Sequence, residues 1–254
     1  MISMGWVSPG MIALLLVLIW TGLTGLFMIL DQNQKPGLCQ RVSVFDRIKQ
    51  EISLAVEKGA RVHLSLGRSG VNGQPGMAGL AGLVILRNAL VTTFFSDKPL
   101  KTSNGDAVLD LLSVEFYSQI NQDSIREFEF EVESSQLCGL TPFSFAAGAR
   151  SIAQEPDISV NVFTGHFGSE IGLLLDDGEK LEHVSYLGTD NLPAQAIGYT
   201  MSENPILGED LFAVASCLDR KPQSQVSLLV QDFFRWGIIL VILAGILLRI
   251  FGVL

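Results

Sequence analysis

The sequence predicts an α/β domain, a mainly parallel sheet with helices on both faces in a Rossmann-like arrangement, flanked by two transmembrane helices. Three observations carry this. Strand-like and helix-like patterns alternate through the middle of the chain, the sequence form of βαβ units. Val62 to Leu90, VHLSLGRSGVNGQPGMAGLAGLVILRNAL, passes from an apolar strand through a glycine-dense turn into an apolar helix. Apolar runs also stand at both ends, Met11 to Leu30 without a charge and Trp236 to Leu254 with Arg249 as its sole charge. Each is close to the ~20 residues that cross a bilayer as a helix.

The composition agrees with this layout. A mean hydropathy of +0.39 and 48% hydrophobic residues over 254 residues are high for an ordinary soluble protein and low for a pure membrane bundle. Between the apolar ends, Asp31 to Arg235 holds all 26 acidic residues and 16 of the 17 basic ones, a formal charge of −10 that argues against nucleic acid as a partner. Met1 to Gly10 lacks Lys and Arg and nothing like Ala-x-Ala follows Leu30, so the first run reads as a retained helix, not a signal peptide. Lys35, Arg41, Arg47, Lys49, Arg220, Lys221 and Arg235 lie on the inner flanks of the two runs and only Arg249 and the terminal amine on the outer ones. The positive-inside rule then gives a two-pass protein of a cell (inner) membrane, its central domain cytoplasmic and both termini outside. Cys39, Cys138 and Cys217 are scattered and unpaired in spacing, in keeping with a reducing compartment.

In chain order, the sequence gives a transmembrane segment over 1–30, a polar linker over 31–42, an α/β domain over 43–227 and a juxtamembrane and transmembrane segment over 228–254. Ser43 to Lys58 places Phe45, Ile48, Ile52, Ala55 and Val56 on one helical face, with Gly59 as its stop. Arg61 to Leu66 is a strand, Gly67 to Gly76 the turn, and Met77 to Leu90 a helix apolar nearly all round. Leu90 to Phe95 reads as a second strand, followed by a polar stretch from Lys101 to Asp106. Asn104 is a candidate cap for a helix to Ile120 in which Val108, Leu112, Phe116 and Ile120 recur every four residues. Glu127 to Val132, EFEFEV, alternates as a half-exposed edge strand. Thr141 and Pro142 start a helix to about Ala153. Ile158 to Phe163 is a strand, His166 to Leu175 a helix, Val184 to Thr189 a strand, and Gly208 to Leu218 the last helix of the domain. Gly70, Gly73, Gly76, Gly79 and Gly82 recur every three residues, but with Pro75 as the only imino acid and an apolar helix following, collagen is excluded.

The candidate ligand-binding positions follow from where α/β proteins leave backbone N–H groups free. A strand that feeds a glycine-rich loop opening a helix offers such groups to an anion. Here the loop supplies Gly67, Arg68, Ser69, Gly70, Asn72 and Gly73. It has no lysine for a P-loop and never sets two glycines two apart, so it names no cofactor. It is a ligand loop or a tight packing turn. His166 and Glu170 are four apart and would share one helix face, and Asp190 and Asn191 stand at a strand end where α/β ligands bind or where an Asx turn precedes Pro193. Two residues do not hold a metal, and no metal site is expected. No Gly-x-Ser-x-Gly elbow or Cys–His nucleophile spacing occurs.

Glu57-x-Gly59 with Val62 and His63, GHFGSE at 165–170, GTDNLP at 188–193, LGEDLFAVAS at 207–216 and the Gln231–Asp232 pair resemble an uncharacterised family of prokaryotic membrane-anchored proteins, the domain of unknown function numbered 6754. SENP at 202–205 departs from the more acidic and aromatic pattern of that family. The resemblance implies the layout and no mechanism. The function expected is a binding, scaffold or assembly module held at the membrane at both ends, with the membrane, another copy of the chain or another membrane protein as partner. The alternative is a membrane-tethered nucleotide- or anion-binding enzyme or sensor using the Gly67–Gly76 turn.

Overall fold

The computed structural model describes residues 9–30, 43–70, 76–94, 96–122, 134–176, 183–202, 205–218 and 222–250. The linker over 31–42, the EFEFEV strand, and Asn72 and Gly73 lie outside them. The chain divides into two compact units, one of its two ends and one of Val42–Leu218.

The central unit runs α2 (Ser43–Glu57), β1 (Arg61–Gly67), α3 (Gly76–Thr93), β2 (Lys101–Asn104), α4 (Ala107–Gln122), β3 (Ser135–Leu137), α5 (Pro142–Ala153), β4 (Ile158–His166), α6 (Ile171–Leu175), β5 (Val184–Thr189), α7 (Leu192–Met201), β6 (Ile206–Leu207), a 3-10 segment (Gly208–Ala213) and α8 (Val214–Leu218). The six strands are all parallel in the order β3-β2-β1-β4-β5-β6. This is the strand order of doubly wound dinucleotide-binding sheets. On one face Val62, Leu64 and Leu66 of β1 and Val160 and Val162 of β4 pack with α2, α3, α4 and α8. On the other, Phe163 and Leu187 pack with α5, α6 and α7. A parallel sheet covered on both faces explains why β1 is buried along six of its seven residues.

Local signals set the clearest boundaries. The α2 helix ends because Gly59, at φ +67°, turns the chain so that Ala60 N donates to Ala55 O and Gly59 N to Val56 O, a left-handed C-terminal cap. The α5 helix begins at Thr141, whose hydroxyl accepts from Ser144 N while Ser144 Oγ accepts from Thr141 N.

The glycine triplet is a helix face. Along α3, Gly79 and Gly82 turn toward the sheet, and a Cβ on Gly79 would lie 2.7 Å from Ser69 Oγ. One on Gly82 would lie 2.8 Å from Leu66 Cδ2 and 2.9 Å from the Thr164 carbonyl oxygen. The spacing of three is thus the helical i, i+3 row, bare of side chains so that the backbone reaches β1 and β4.

Several expectations are corrected. Leu90 to Phe95 is not a strand: α3 continues to Thr93, with the Thr92 and Thr93 hydroxyls donating to Asn88 O and Ala89 O. The second strand is the polar Lys101–Asn104. Helix α4 is capped by Asp106, whose Oδ1 accepts from Val108 N and Leu109 N, and not by Asn104. Its buried row is Leu109, Ser113 and Tyr117, with Leu112, Phe116 and Ile120 beside it and Val108 exposed. His166 closes β4 and is not helical; α6 spans only Ile171–Leu175. Leu192–Met201 is a helix that the Pro193 signal concealed.

The sheet interior holds a polar ladder across three strands. His63 on β1 donates from Nδ1 to Asn161 Oδ1 at 2.9 Å on β4 and accepts at Nε2 from Ser103 Oγ at 2.9 Å on β2. Asn161 Nδ2 donates in turn to Ala153 O, which fixes the amide orientation and with it the His63 tautomer. Burial pushes the His63 pKa from 6.5 down to about 4, because a charged imidazole there would lose its water.

In the terminal unit, α1 (Pro9–Leu30) and α9 (Pro222–Ile250) are about 33 and 43 Å long at ~1.5 Å per residue. Trp20 and Phe234 stack at 5.4 Å. Leu228–Ile250 is long and apolar enough to cross a membrane and is exposed along most of its length, and Ala13–Ile29 is a shorter apolar stretch. Gly76–Thr93 meets the same length and composition but is 61% buried, because it is the core helix α3.

Two outcomes are expected in unfolding experiments on the detergent-solubilised chain. Gly82→Ala gains about 1 kcal/mol of helix propensity, yet its methyl meets the Thr164 carbonyl, so net stability falls by about 1–3 kcal/mol. Gly172→Ala, whose Cβ meets nothing nearer than 3.6 Å, is the tolerated control. Because the unfolded chain takes up the His63 proton near pH 6.5 and the folded chain near 4, stability is full above that window and falls as pH drops through it. The wild type loses about 3 kcal/mol more than His63→Gln between pH 7.5 and 4; equal losses would remove His63 as the cause.

Candidate ligand site at the carboxyl edge of the sheet

Strand order reverses between β1 and β4, so the connections leaving them go to opposite faces of the sheet, the switch point at whose carboxyl edge α/β proteins place ligands. Gly67 makes this edge tight. At φ +66° it closes β1 with its carbonyl accepting from Gly105 N at 2.8 Å, while Arg68 N donates to His166 O at 3.0 Å. A Cβ on Gly67 would lie 2.6 Å from that His166 oxygen, and one on Gly165 2.1 Å from Leu66 O. The ends of β2, β1 and β4 are therefore tied through backbone that leaves no room for side chains.

Arg68 crosses this knot. Its stem lies over Gly105, where a Cβ would come 2.3 Å from Arg68 Cγ. Its Nη1 ends 4.0 Å from Glu170 Oε1, beyond hydrogen-bond reach. Glu170 is nearly sealed, at 5% side-chain exposure, and its Oε1 already accepts from Gly168 N at 2.9 Å. Arg68 Nε and Nη1 are buried without a hydrogen-bond acceptor among the described residues, although the side chain as a whole keeps 25% exposure. Leaving buried donors unmade costs about 1–3 kcal/mol each.

Next to it, at the ends of β4 and β5, His166 Nδ1 lies 2.8 Å from Asp190 Oδ1. A carboxylate accepts the Nδ1 proton and leaves Nε2 with its lone pair. Nε2 makes no hydrogen bond among the described residues, and the side chain is 31% exposed. The pair thus offers a proton acceptor at the open edge.

The structure separates the remaining sequence candidates. Ser69 is buried, with its hydroxyl donating to Leu66 O at 3.3 Å and packed under Gly79. Gly70 faces the Asp106 carboxylate, whose Oδ2 would be 3.6 Å from its Cβ. Asn191 precedes α7 without a side-chain cap bond, and its N–H donates to Thr189 Oγ1. His166 and Glu170 do not share a helix face; His166 ends β4 and Glu170 precedes α6, with His166 turned to Asp190 and Glu170 to Arg68.

Sequence reasoning missed the end of β2. Asn104 Nδ2 donates to Asp110 Oδ1 and Ser135 Oγ, Ser135 Oγ donates to Asp110 Oδ1 at 2.6 Å, and Asn104 Oδ1 is left buried without a donor. The signal available was a polar run at a strand position, which hydropathy discards. Burial pushes the nearby Cys138 thiol up to about 11, so it stays protonated at neutral pH. Among the described residues no three His, Cys, Asp or Glu side chains converge as metal ligands.

The chain has no significant match among curated proteins or solved structures. Its family is nevertheless shown, and the match extends well beyond the short motifs that suggested it. Spanning residues 4–254, it establishes that the chain belongs to the family described as Domain of unknown function (DUF6754).

Proposed function

We propose that this chain is a membrane-held binding protein whose central α/β domain takes a small phosphate-bearing ligand at the carboxyl edge, between the ends of β1 and β4. The observation that carries the reading is Arg68, a guanidinium with buried, unsatisfied nitrogens at the point where the sheet changes direction. Arginine matches phosphate with two parallel charge-assisted bonds. Glu170, too distant to bond it, holds it in place without using its donors. Titration calorimetry of the detergent-solubilised chain with inorganic pyrophosphate and ATP tests this. At least one binds, and Arg68→Gln weakens it tenfold or more, the loss of a charged hydrogen bond of about 1.5–3 kcal/mol. Affinity unchanged by Arg68→Gln, or no binding of either probe, would sink the reading.

A second reading, an assembly module, is favoured by one feature: Leu140 and Phe143, at the start of α5, are 71% and 69% exposed. Large apolar side chains set together on a surface mark contact sites. In that case Phe143→Ser reduces the size of the solubilised complex and leaves ligand affinity alone.

The membrane placement belongs to the same proposal. Two exposed apolar helices at the chain ends support two anchors, and the excess of Lys and Arg on their inner flanks favours a cytoplasmic domain with both termini outside. In intact cells, cysteines introduced before Pro9 and after Ile250 react with an impermeant thiol reagent while one placed at Gln34 stays protected. The reverse labelling pattern would overturn the orientation.

A further inference from the structure

The phosphate-site reading leaves the His166–Asp190 pair without a task, and the geometry gives it one. We infer that the site is hydrolytic: His166 is a general base that activates water against a phosphate ester or anhydride held by Arg68, and Asp190 is its positioning residue.

A histidine–carboxylate contact that serves stability should be buried, whereas here the side chains are 31% and 21% exposed, and exposed pairs contribute only about 0–1 kcal/mol. The pair is nonetheless held firmly. His166 O accepts from Arg68 N, so the base and the anion-holding side chain leave adjacent strands from backbone that is directly bonded. Gly67 and His166 are register partners of β1 and β4. On the other side, Asp190 follows Thr189, whose carbonyl accepts from Gln195 Nε2 and whose hydroxyl accepts from Asn191 N, so its loop is pinned at two points.

Orientation then decides the chemistry. With Nδ1–H given to Asp190 Oδ1, the ring can neither flip nor change tautomer without losing that bond, and Nε2 is set as acceptor at the edge that Arg68 also borders. Glu170 stands beside the Arg68 guanidinium, and Asp190 beside the His166 ring. Bound phosphate neutralises Arg68, and Asp190 stabilises the imidazolium formed as His166 takes its proton.

The step balances. A water proton passes to His166 Nε2 while the water oxygen forms the new P–O bond. The P–O bond to the leaving group breaks with its electron pair on the departing oxygen, which takes the proton back from the imidazolium or, for an anhydride, leaves as a phosphate anion while the imidazolium gives its proton to bulk water.

This inference rests on the phosphate-site reading, and the experiment separates the two. The full solubilised chain is assayed with p-nitrophenyl phosphate and with ATP in buffer containing Mg²⁺, beside the calorimetric binding of ATP. The wild type turns over at least one of them. His166→Gln lowers kcat a hundredfold or more, the span of general-base catalysis, with ATP affinity and thermal unfolding unchanged. Asp190→Asn lowers kcat with KM preserved and alters the acidic limb of the pH–rate profile, which a purely structural contact would not do. Binding of ATP that depends on Arg68 without turnover of either substrate overturns the hydrolytic inference and leaves the binding site standing. Turnover equal in wild type and His166→Gln overturns it as well, and absence of binding removes both. If His166→Gln fails to fold, the kcat and pH profile of Asp190→Asn decide.

Discussion

The close approach of α3 to the sheet is the constraint on which the rest of the domain depends. Gly79 and Gly82 bring helix backbone onto Ser69, Leu66 and Thr164, where even a methyl group would meet atoms closer than 3 Å. That contact seats α3 against both β1 and β4, the two central strands from which the chain departs in opposite directions. With the helix so low, the glycines at 67 and 165 can cross at the strand ends, and Arg68 must leave the knot over Gly105. The position of the Arg68 guanidinium thus follows from packing at the strand ends as much as from the loop that carries it.

The sheet interior answers a second demand, since a parallel strand buried on both faces must satisfy any polar side chain within the protein. His63, Ser103 and Asn161 do so by bonding one another across strands. The edge of His63 also meets Phe163, at 5.8 Å between centroids. Such a network makes strand register specific, because a slip of one residue sends His63 to the apolar face beside Val62 and Leu64. Polarity at the core is here tied to uniqueness of pairing, and it leaves a neutral imidazole whose protonation opposes folding.

At the carboxyl edge the same economy is reversed. His63, Ser103 and Asn161 are paired with each other inside the sheet, whereas at the carboxyl ends Arg68 Nε and Nη1, His166 Nε2 and Asn104 Oδ1 make no hydrogen bond among the described residues, as Arg61 Nε, Ser159 Oγ and Ser185 Oγ do not toward the other end. Natural folds tolerate unmade bonds where a ligand makes them. What marks the carboxyl edge is a guanidinium and an imidazole leaving neighbouring strand ends over tight glycine backbone.

What the sequence determined by itself was what local chemistry enforces. The α/β alternation, the apolar ends, the Phe45–Ile48–Ile52 face, the Gly59 stop and the Thr141 start are each settled within a few residues by periodicity or by a cap. Tertiary structure alone decided the rest. Lys101–Asn104 reads as a loop because its residues are polar, and becomes a strand because Glu155, the Ser134 carbonyl, His63, Asp110 and Ser135 bond those side chains. His166 and Glu170 suggest a helical pair at a spacing of four, yet β4 extends through His166 because its backbone is bonded to β1, and the two side chains turn to partners 24 and 102 positions distant in sequence. The triplet of glycines announced a special conformation without saying what it approached. Spacing records what neighbours in sequence do to one another, whereas a site built at the ends of parallel strands joins residues whose only common feature is where the sheet brings them.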